Sequence, residues 1–531
     1  MSGRTNWSRL VITLAALLGC LFWAAPRPGT ALPLDDYLNN GDTTYNWEVA
    51  SVIPHASLGY SLYMLKLTSQ TWLNSNITDT PVWEHWLRVA VPKNIKTDLA
   101  ALYIGGGRNP LGNPPEDMEA FLPPIAVENG MIVAELSQVP NQPIIFADED
   151  FGRSEDSFLA KTWKIFMRTN EPYIVGRFPM VKAAVRAMDA IQEFAAQRVP
   201  TAPSVERFAV VGASKRGWVS WLTGAVDSRV VASAPIVIDV LDMFNNFNNI
   251  YQTYGRWPLA LNDYTEANIT QCLNCPAFER LADVEDPLVY IERYKERGVP
   301  VFAINAVSDE FFVPDGWKFW YPFYDGEKYL AYLPNTEHSL VGHVRQVTET
   351  LSSLMHLLIY GGERPVYDWS LDPSGQQIVF RSETRPVSVK LYQAHNKKDR
   401  SFILNCYLKC KWVPTDLTPV DPEQKVWVAN VELPETGYRG FFVQAEYDVT
   451  DATSLVPRHQ EVTGAGPAGI VAGTTLPGSD ERIFTVTTGV SIVPLEMPHP
   501  PCGVECDDCA ACSPNGEFAD WEFFTDPAPV F

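Results

Sequence analysis

Phe208-Ala-Val-Val-Gly-Ala-Ser-Lys-Arg-Gly-Trp218 is the stretch on which the reading of this chain turns. A short apolar run, Phe208 to Val211, breaks into Gly212-Ala-Ser-Lys-Arg-Gly217, and a helix-compatible segment follows. Strand, tight turn with a serine at its tip, then helix is the layout that exposes a hydroxyl above an α/β sheet. Small residues flank such a serine because its backbone is strained and the turn leaves no room for side chains. Gly212 and Ala213 satisfy that demand, but the second position after the serine is Arg216 and glycine arrives only at 217. The motif is a variant of the G-x-S-x-G elbow. The competing reading is a serine in an ordinary strand-to-helix turn, and only its partners decide between them.

Those partners come in order. A serine nucleophile needs a general base in hydrogen-bond reach and an acid to orient it. In α/β-hydrolases the acid and then the histidine follow late strands. Ser308-Asp309-Glu310 follows the strand-like run Val299 to Val307, and Pro334-Asn-Thr-Glu-His338 follows Tyr329 to Leu333, a separation of 338 − 309 = 29 residues. Asp309 read alone also suits a helix N-cap, and His338 alone suits a surface loop. Order and strand context together select Ser214, Asp309 and His338, with Glu310 and His343 as the neighbouring alternates. An acyl-transfer site also needs backbone donors for an oxyanion. The N–H of Lys215 is the first candidate. The run Ala100 to Ile104 ends in Gly105-Gly-Gly-Arg108, where backbone approaches a ligand closely, so Gly106 or Gly107 is the second. Arg216 is read either as pairing with a buried acid or as contacting an anionic substrate group, the first being preferred. Glu155 and Asp156 are read as a solvated pair before a substrate ammonium anchor.

Strand-like and helical segments alternate from Trp86 to Tyr360, which predicts a doubly wound, mostly parallel sheet. Trp86 to Val91, Ala100 to Ile104, Met131 to Leu136 and Val230 to Val240 read as strands; Tyr60 to Leu67 reads as an edge strand. Pro123 to Asn129, Met180 to Gln197 and Val344 to Tyr360 read as helices. Residues 137–180 read as a long irregular insertion. Residues 241–298 read as a cap-like insertion over the strand C-termini. From about Pro365 short alternating strands separated by Pro, Gly and Asp predict an antiparallel β-sandwich of about seven strands. The expected organisation is a signal peptide at 1–31, an α/β-hydrolase-like domain at 32–363, a sandwich at 364–497 and a Cys/Pro-rich acidic tail at 498–531.

A chain of 531 residues with 46% hydrophobic and 12% aromatic content is packed and multidomain in character. Its formal net charge of −22 argues against binding a nucleic-acid backbone. Arg4 and Arg9 precede an apolar run from Leu10 to Ala25, too short to span a membrane with ease, and Gly29 and Ala31 suit a cleavage site. Secretion without stable membrane insertion is therefore expected. Of nine cysteines, all but Cys20 fall in clusters: Cys272 and Cys275, Cys406 and Cys410, and Cys502, Cys506, Cys509 and Cys512. The last cluster has metal-like spacing, but in an oxidising compartment disulfides are the better reading and no metal or cofactor is expected. Spacing leaves the connectivity open. Asn76 and Asn268 head sequons.

Gly212-Ala-Ser-Lys-Arg-Gly-Trp218, Ser308-Asp-Glu-Phe-Phe-Val-Pro-Asp315 and Leu333-Pro-Asn-Thr-Glu-His-Ser339 resemble the PhoPQ-activated pathogenicity-related family. Arg153-Ser-Glu-Asp156, Pro179 to Asp189 and Arg385-Pro-Val-Ser-Val389 extend the likeness, which runs from about residue 35 to 495. The resemblance implies a secreted α/β-hydrolase-like domain followed by a β-sandwich, and the triad Ser214, Asp309, His338. Some members resemble dipeptidyl-peptidase-like serine hydrolases. The cysteine-rich tail and the two internal cysteine pairs depart from the family pattern.

Two function classes follow. The first is a secreted serine hydrolase acting on a small-molecule ester or peptide. The second is a secreted signalling protein of the autocrine proliferation repressor type, the hydrolase fold serving as a scaffold that binds a cell-surface receptor.

Overall fold

The computed structural model describes residues 32–200, 202–360, 364–403, 410–421, 423, 425–450, 482–518, 520–521 and 523; the expected signal peptide and Cys406 lie outside them. Nine strands build the first part of the main sheet: β1 (Asn46–His55), β2 (Tyr60–Thr71), β3 (Val82–Pro92), β4 (Leu99–Ile104), β5 (Ile132–Leu136), β6 (Arg207–Ala213), β7 (Val230–Ile236), β8 (Val301–Ala306) and β9 (Lys328–Leu333). They run in the spatial order β1-β2-β3-β5-β4-β6-β7-β8-β9, antiparallel as far as β5 and parallel from there to β9. The crossing of β4 and β5 and the unbroken run from β6 onward are the strand order of an α/β-hydrolase sheet. Edge protection differs from expectation. The strand at Tyr60 is covered by β1, whose residues are all exposed or half-buried, so no apolar run announces it.

Strands β4, β5 and β8 are buried almost throughout because helices cover both sheet faces. Ala100, Leu102 and Ile104 share one core with the helices Arg177–Arg198 and Lys215–Val226. Leu99 and Ala101 point into the other core, shared with Leu122–Asn129 and Val344–Tyr360. Helix Leu122–Asn129 stops at Gly130 with φ +60°, a conformation suited to glycine. The stretch 137–180, expected to be irregular, contains the helix Glu155–Thr169. Phe158, Leu159, Lys161, Trp163, Ile165, Phe166 and Met167 are all buried there. Leu159, Trp163, Phe166 and Met167 fall at helical spacing along it, so the sequence does carry this helix's apolar stripe.

The C-terminal strands are β10 (Tyr367–Leu371), β11 (Gln377–Ser382), β12 (Ser388–Asn396), β13 (Val413–Asp416), β14 (Val426–Asn430), β15 (Tyr438–Asp448), β16 (Ile483–Thr487) and β17 (Ser491–Val493). They form two antiparallel layers. β10, β11 and β14 make a separate sheet, whereas β16, β15, β12 and β13 extend the main sheet beyond β9, with β17 beside β15. The join is a single residue pair, Thr487 with Leu330, reinforced by the Tyr332 N–H on Thr487 Oγ1 at 3.0 Å. Ile378, Phe380 and Trp427 of the small sheet face Leu391, Phe441, Val443 and Ala445.

The segment between β7 and β8 is helical, with Met243–Tyr254, Pro276–Glu285 and Ile291–Arg297 as its longest pieces. The tail is stapled to it by Cys272–Cys512 and Cys275–Cys509, while Cys502–Cys506 closes a small loop. The metal-like spacing of the last four cysteines therefore resolves into disulfides. Cys410 is also disulfide-bonded. The tail buries Phe518 and reaches the helix Glu155–Thr169, where Arg168 donates to the Ala511 carbonyl at 2.9 Å.

Candidate active site

Ser214 stands where β6 gives way to helix Lys215–Val226, at φ +56° and ψ −127°. That backbone is strained for a residue with a side chain, and it is the strain by which a sharp turn presents a hydroxyl. Two glycines permit the turn. A Cβ on Gly212 would lie 2.4 Å from the Arg216 carbonyl oxygen, and one on Gly217 would lie 2.8 Å from Ile238 Cγ2 and 2.9 Å from the Gly212 carbonyl oxygen. The position that must stay small is thus the third after the serine, the one facing the end of β7. The second faces elsewhere and admits Arg216.

The loops after β8 and β9 complete the cluster. His338 Nε2 lies 2.8 Å from Ser214 Oγ, and His338 Nδ1 lies 2.8 Å from Asp309 Oδ2. Asp309 is buried and its other oxygen accepts the N–H groups of Phe311 at 2.7 Å and Phe312 at 3.1 Å. Glu310, one of the alternates, accepts the backbone N–H of His338 at 3.1 Å. The Phe311 ring lies 4.4 Å from the imidazole, centroid to centroid. Burial works against the imidazolium, but the Asp309 carboxylate, with Glu310 behind it, holds the His338 pKa above its ordinary value. The other alternate, His343, takes no part; its backbone N–H bonds Leu340. A hydroxyl, an imidazole and a carboxylate linked in this way can move a proton off the hydroxyl while it attacks an electrophile.

On the other side of the serine lie the glycine turn and a group of fixed charges. Ile104 pairs with Gly212 across β4 and β6, which sets Gly105–Gly107 beside the elbow. Arg216 points across to this turn and not into solvent: its Nε donates to the Val139 carbonyl at 2.6 Å and its Nη2 to Glu155 Oε1 at 2.6 Å. Lys215 Nζ meets Glu155 Oε2 at 2.9 Å and Asp156 Oδ2 at 3.0 Å. Tyr264, from the helical insertion, donates to Asp156 at 3.0 Å. Burial alone would raise the Glu155 pKa, but Arg216 and Lys215 bring it down from 4.5 to about 2. Arg216 thus pairs with an acid, but with one whose side chain is 40% exposed and not buried. The acid pair is not freely solvated, and as an ammonium anchor it has no uncompensated charge to offer. Glu155 itself sits at φ +53°.

Beneath the elbow is a buried ion pair with no local sequence signature. Arg177 Nε meets Glu285 Oε2 at 2.6 Å, and both side chains are fully buried. Arg177 also donates to the Lys215 carbonyl at 3.2 Å and stacks 4.0 Å from the Trp218 ring, whose indole N–H bonds the Glu285 carbonyl at 2.7 Å. The ion pair spans 108 residues of sequence, so spacing could not reveal it. Of the two sequons, Asn76 is exposed, whereas Asn268 is half-buried at φ +65°. Among the described residues no group of three or more His, Cys, Asp and Glu side chains is arranged to hold a metal ion, and no helix is long and apolar enough to cross a membrane.

The profile of the PhoPQ-activated pathogenicity-related protein family matches residues 34–403. Autocrine proliferation repressor protein A of Dictyostelium discoideum is 36% identical over 457 residues, covering 82% of this chain and 89% of that protein. Among solved structures, an acetyl xylan esterase from Paenibacillus sp. R4 is similar at a TM-score of 0.42 and 14% identity, over 60% of this chain and 92% of that one. Acetyl xylan esterase 1 from Thermoanaerobacterium sp. gives 0.41 and 15%, over 61% and 93%. The fold assignment stands on strand order, independent of these partial likenesses.

Proposed function

The chain belongs to the PhoPQ-activated pathogenicity-related family, and on that premise we propose that it is a secreted serine hydrolase cleaving an ester or peptide bond. The observation that carries this reading is the pair of 2.8 Å contacts joining Ser214 Oγ, His338 and Asp309. Ser214 Oγ attacks the substrate carbonyl while His338 Nε2 accepts its proton. Asp309 fixes the imidazole by its Nδ1 and stabilises the imidazolium. The tetrahedral oxyanion is received by the Lys215 N–H, which heads its helix and has no intrahelical acceptor, and by the N–H of Gly106 or Gly107. His338 then returns the proton to the leaving group, and water, activated by the same imidazole, releases the acyl group from Ser214. Disulfides in the chain support secretion. The test is labelling by a fluorophosphonate probe. Wild type should label and Ser214→Ala should not; a folded wild type that fails to label removes the enzyme reading.

A second reading has its own support, since the relative named an autocrine proliferation repressor covers most of the chain. In that reading the protein is a secreted signal. If Ser214→Ala restrains proliferation of responding cells as well as wild type does, signalling is independent of hydrolysis.

A further inference from the structure

Arg216 occupies a position that the elbow's sterics leave open, yet its side chain is almost wholly enclosed, 13% exposed, and committed to the loop opposite. That loop holds the glycine turn by all three of its carbonyls. Val139 N–H donates to Gly105 O at 3.3 Å, Gln138 N–H to Gly106 O at 2.9 Å, and Gln142 Nε2 to Gly107 O at 3.1 Å. In a trans peptide the N–H points opposite to the C=O of the same unit. Tying down the Gly105 and Gly106 carbonyls therefore turns the Gly106 and Gly107 N–H groups to the other edge. Neither N–H has a protein acceptor among the described residues. Arg216 grips this arrangement at its centre. Its Nε holds the Val139 carbonyl, its Nη2 holds Glu155, and Glu155 in turn bonds Gln142 through both its own N–H, at 2.7 Å, and its Oε1, at 2.5 Å. A Cβ on Gly106 would come within 3.0 Å of Arg216 Nη2, so the guanidinium packs directly against the turn.

We propose that Arg216 is a positioning residue that sets the spacing between the two halves of the oxyanion site, the Lys215 N–H on the elbow and the Gly106 and Gly107 N–H groups on the turn. The inference rests on the hydrolase reading above. It makes the second residue after the nucleophile a brace between elbow and turn. A planar fork with fixed donor directions suits that task, whereas an ammonium on a flexible stem holds one contact at a time. The charge itself is already matched by Glu155, so the effect is one of alignment in the transition state.

The experiment compares wild type, Arg216→Ala, Arg216→Lys and Ser214→Ala by p-nitrophenyl acetate hydrolysis and by affinity for a trifluoromethyl ketone, whose hemiketal oxyanion occupies the same donors. Arg216→Ala should lower kcat about 100-fold, the scale of losing one oxyanion donor, with KM changed less than about threefold. Trifluoromethyl ketone affinity should fall in parallel with kcat. Arg216→Lys should recover part of both, and added methylguanidine should restore activity to Arg216→Ala. If Arg216→Ala does not fold, Arg216→Lys carries the same comparison. Unchanged kcat and inhibitor affinity in a folded variant would overturn the brace while leaving the hydrolase reading intact. So would a loss confined to KM or thermal stability. Absence of Ser214-dependent labelling in wild type would overturn both together.

Discussion

Ser214 stands between two charged groups built on different principles. Toward the loops after β8 and β9 it meets His338 and Asp309, where the charge on the imidazole changes with every proton that moves. Toward the glycine turn it meets Lys215, Arg216, Glu155 and Asp156, two cations in direct ion pairs with two anions. The first group can do chemistry because an imidazole titrates near neutrality. The second can hold shape because each cation in it is matched to an acid across the turn. One serine thus has a mobile proton on one side and a rigid frame on the other.

The sharpest way to break that contrast is to remove the mobile side. Ser214→Ala and His338→Ala should each reduce kcat/KM toward an activated ester by roughly 10⁴- to 10⁶-fold, measured by steady-state hydrolysis. Retention of a tenth of the activity by either would end the assignment. Asp309→Asn should follow with a loss on the order of 10⁴-fold, because it disturbs the tautomer and takes away the charge that favours the imidazolium. The pH dependence sharpens the same side. His338 must be neutral to accept a proton, and its pKa is raised, so kcat/KM should rise with pH along a limb centred above 6.5. Glu310→Gln should move this limb downward, by less than Asp309→Asn does.

The smallest expected effect belongs to the fixed side. Glu155 has a folded pKa of about 2 against an ordinary 4.5, so its stabilising contribution is complete above 4.5 and disappears as pH falls through 2. Glu155→Gln should therefore melt below wild type at pH 7, and the gap should close on acidification below 4.5. With a side chain 40% exposed, the gap should correspond to about 1 kcal/mol or less. A gap that widens in acid would show that the frame is not held by that carboxylate.

What could be read in the sequence was what is local. The elbow, the Ser308-Asp-Glu turn and the Pro334-to-His338 turn each lie directly after a strand, and the fold assembles such turns at one sheet edge without long-range information. The helix Val344–Tyr360 was legible because one face is apolar. The helix Glu155–Thr169 has Leu159, Trp163, Phe166 and Met167 at helical spacing as well, but buried Lys161 and Thr162 lie between them and break the apolar pattern. The frame was illegible for a related reason. Arg216, Val139 and Glu155 are apart in sequence, and ion pairs leave no periodicity. The same holds for Arg177 and Glu285 beneath. β1 escaped notice because half-exposed edge strands need no apolar run, and the extension of the main sheet past β9 rests on one pairing that no pattern marks.

The two staples joining the tail to the helical insertion close covalent rings spanning 240 and 234 residues of sequence. Asp309, His338 and all the C-terminal strands lie inside those rings, while Ser214 lies outside. A protease that severs any peptide bond between Cys275 and Cys509 would leave a single molecule, its two pieces still tethered. Such a nicked protein would migrate as one band until a thiol was added and then as two. Separating the part that carries His338 from the part that carries Ser214 thus takes two unlike agents, one for the amide and one for the sulfurs.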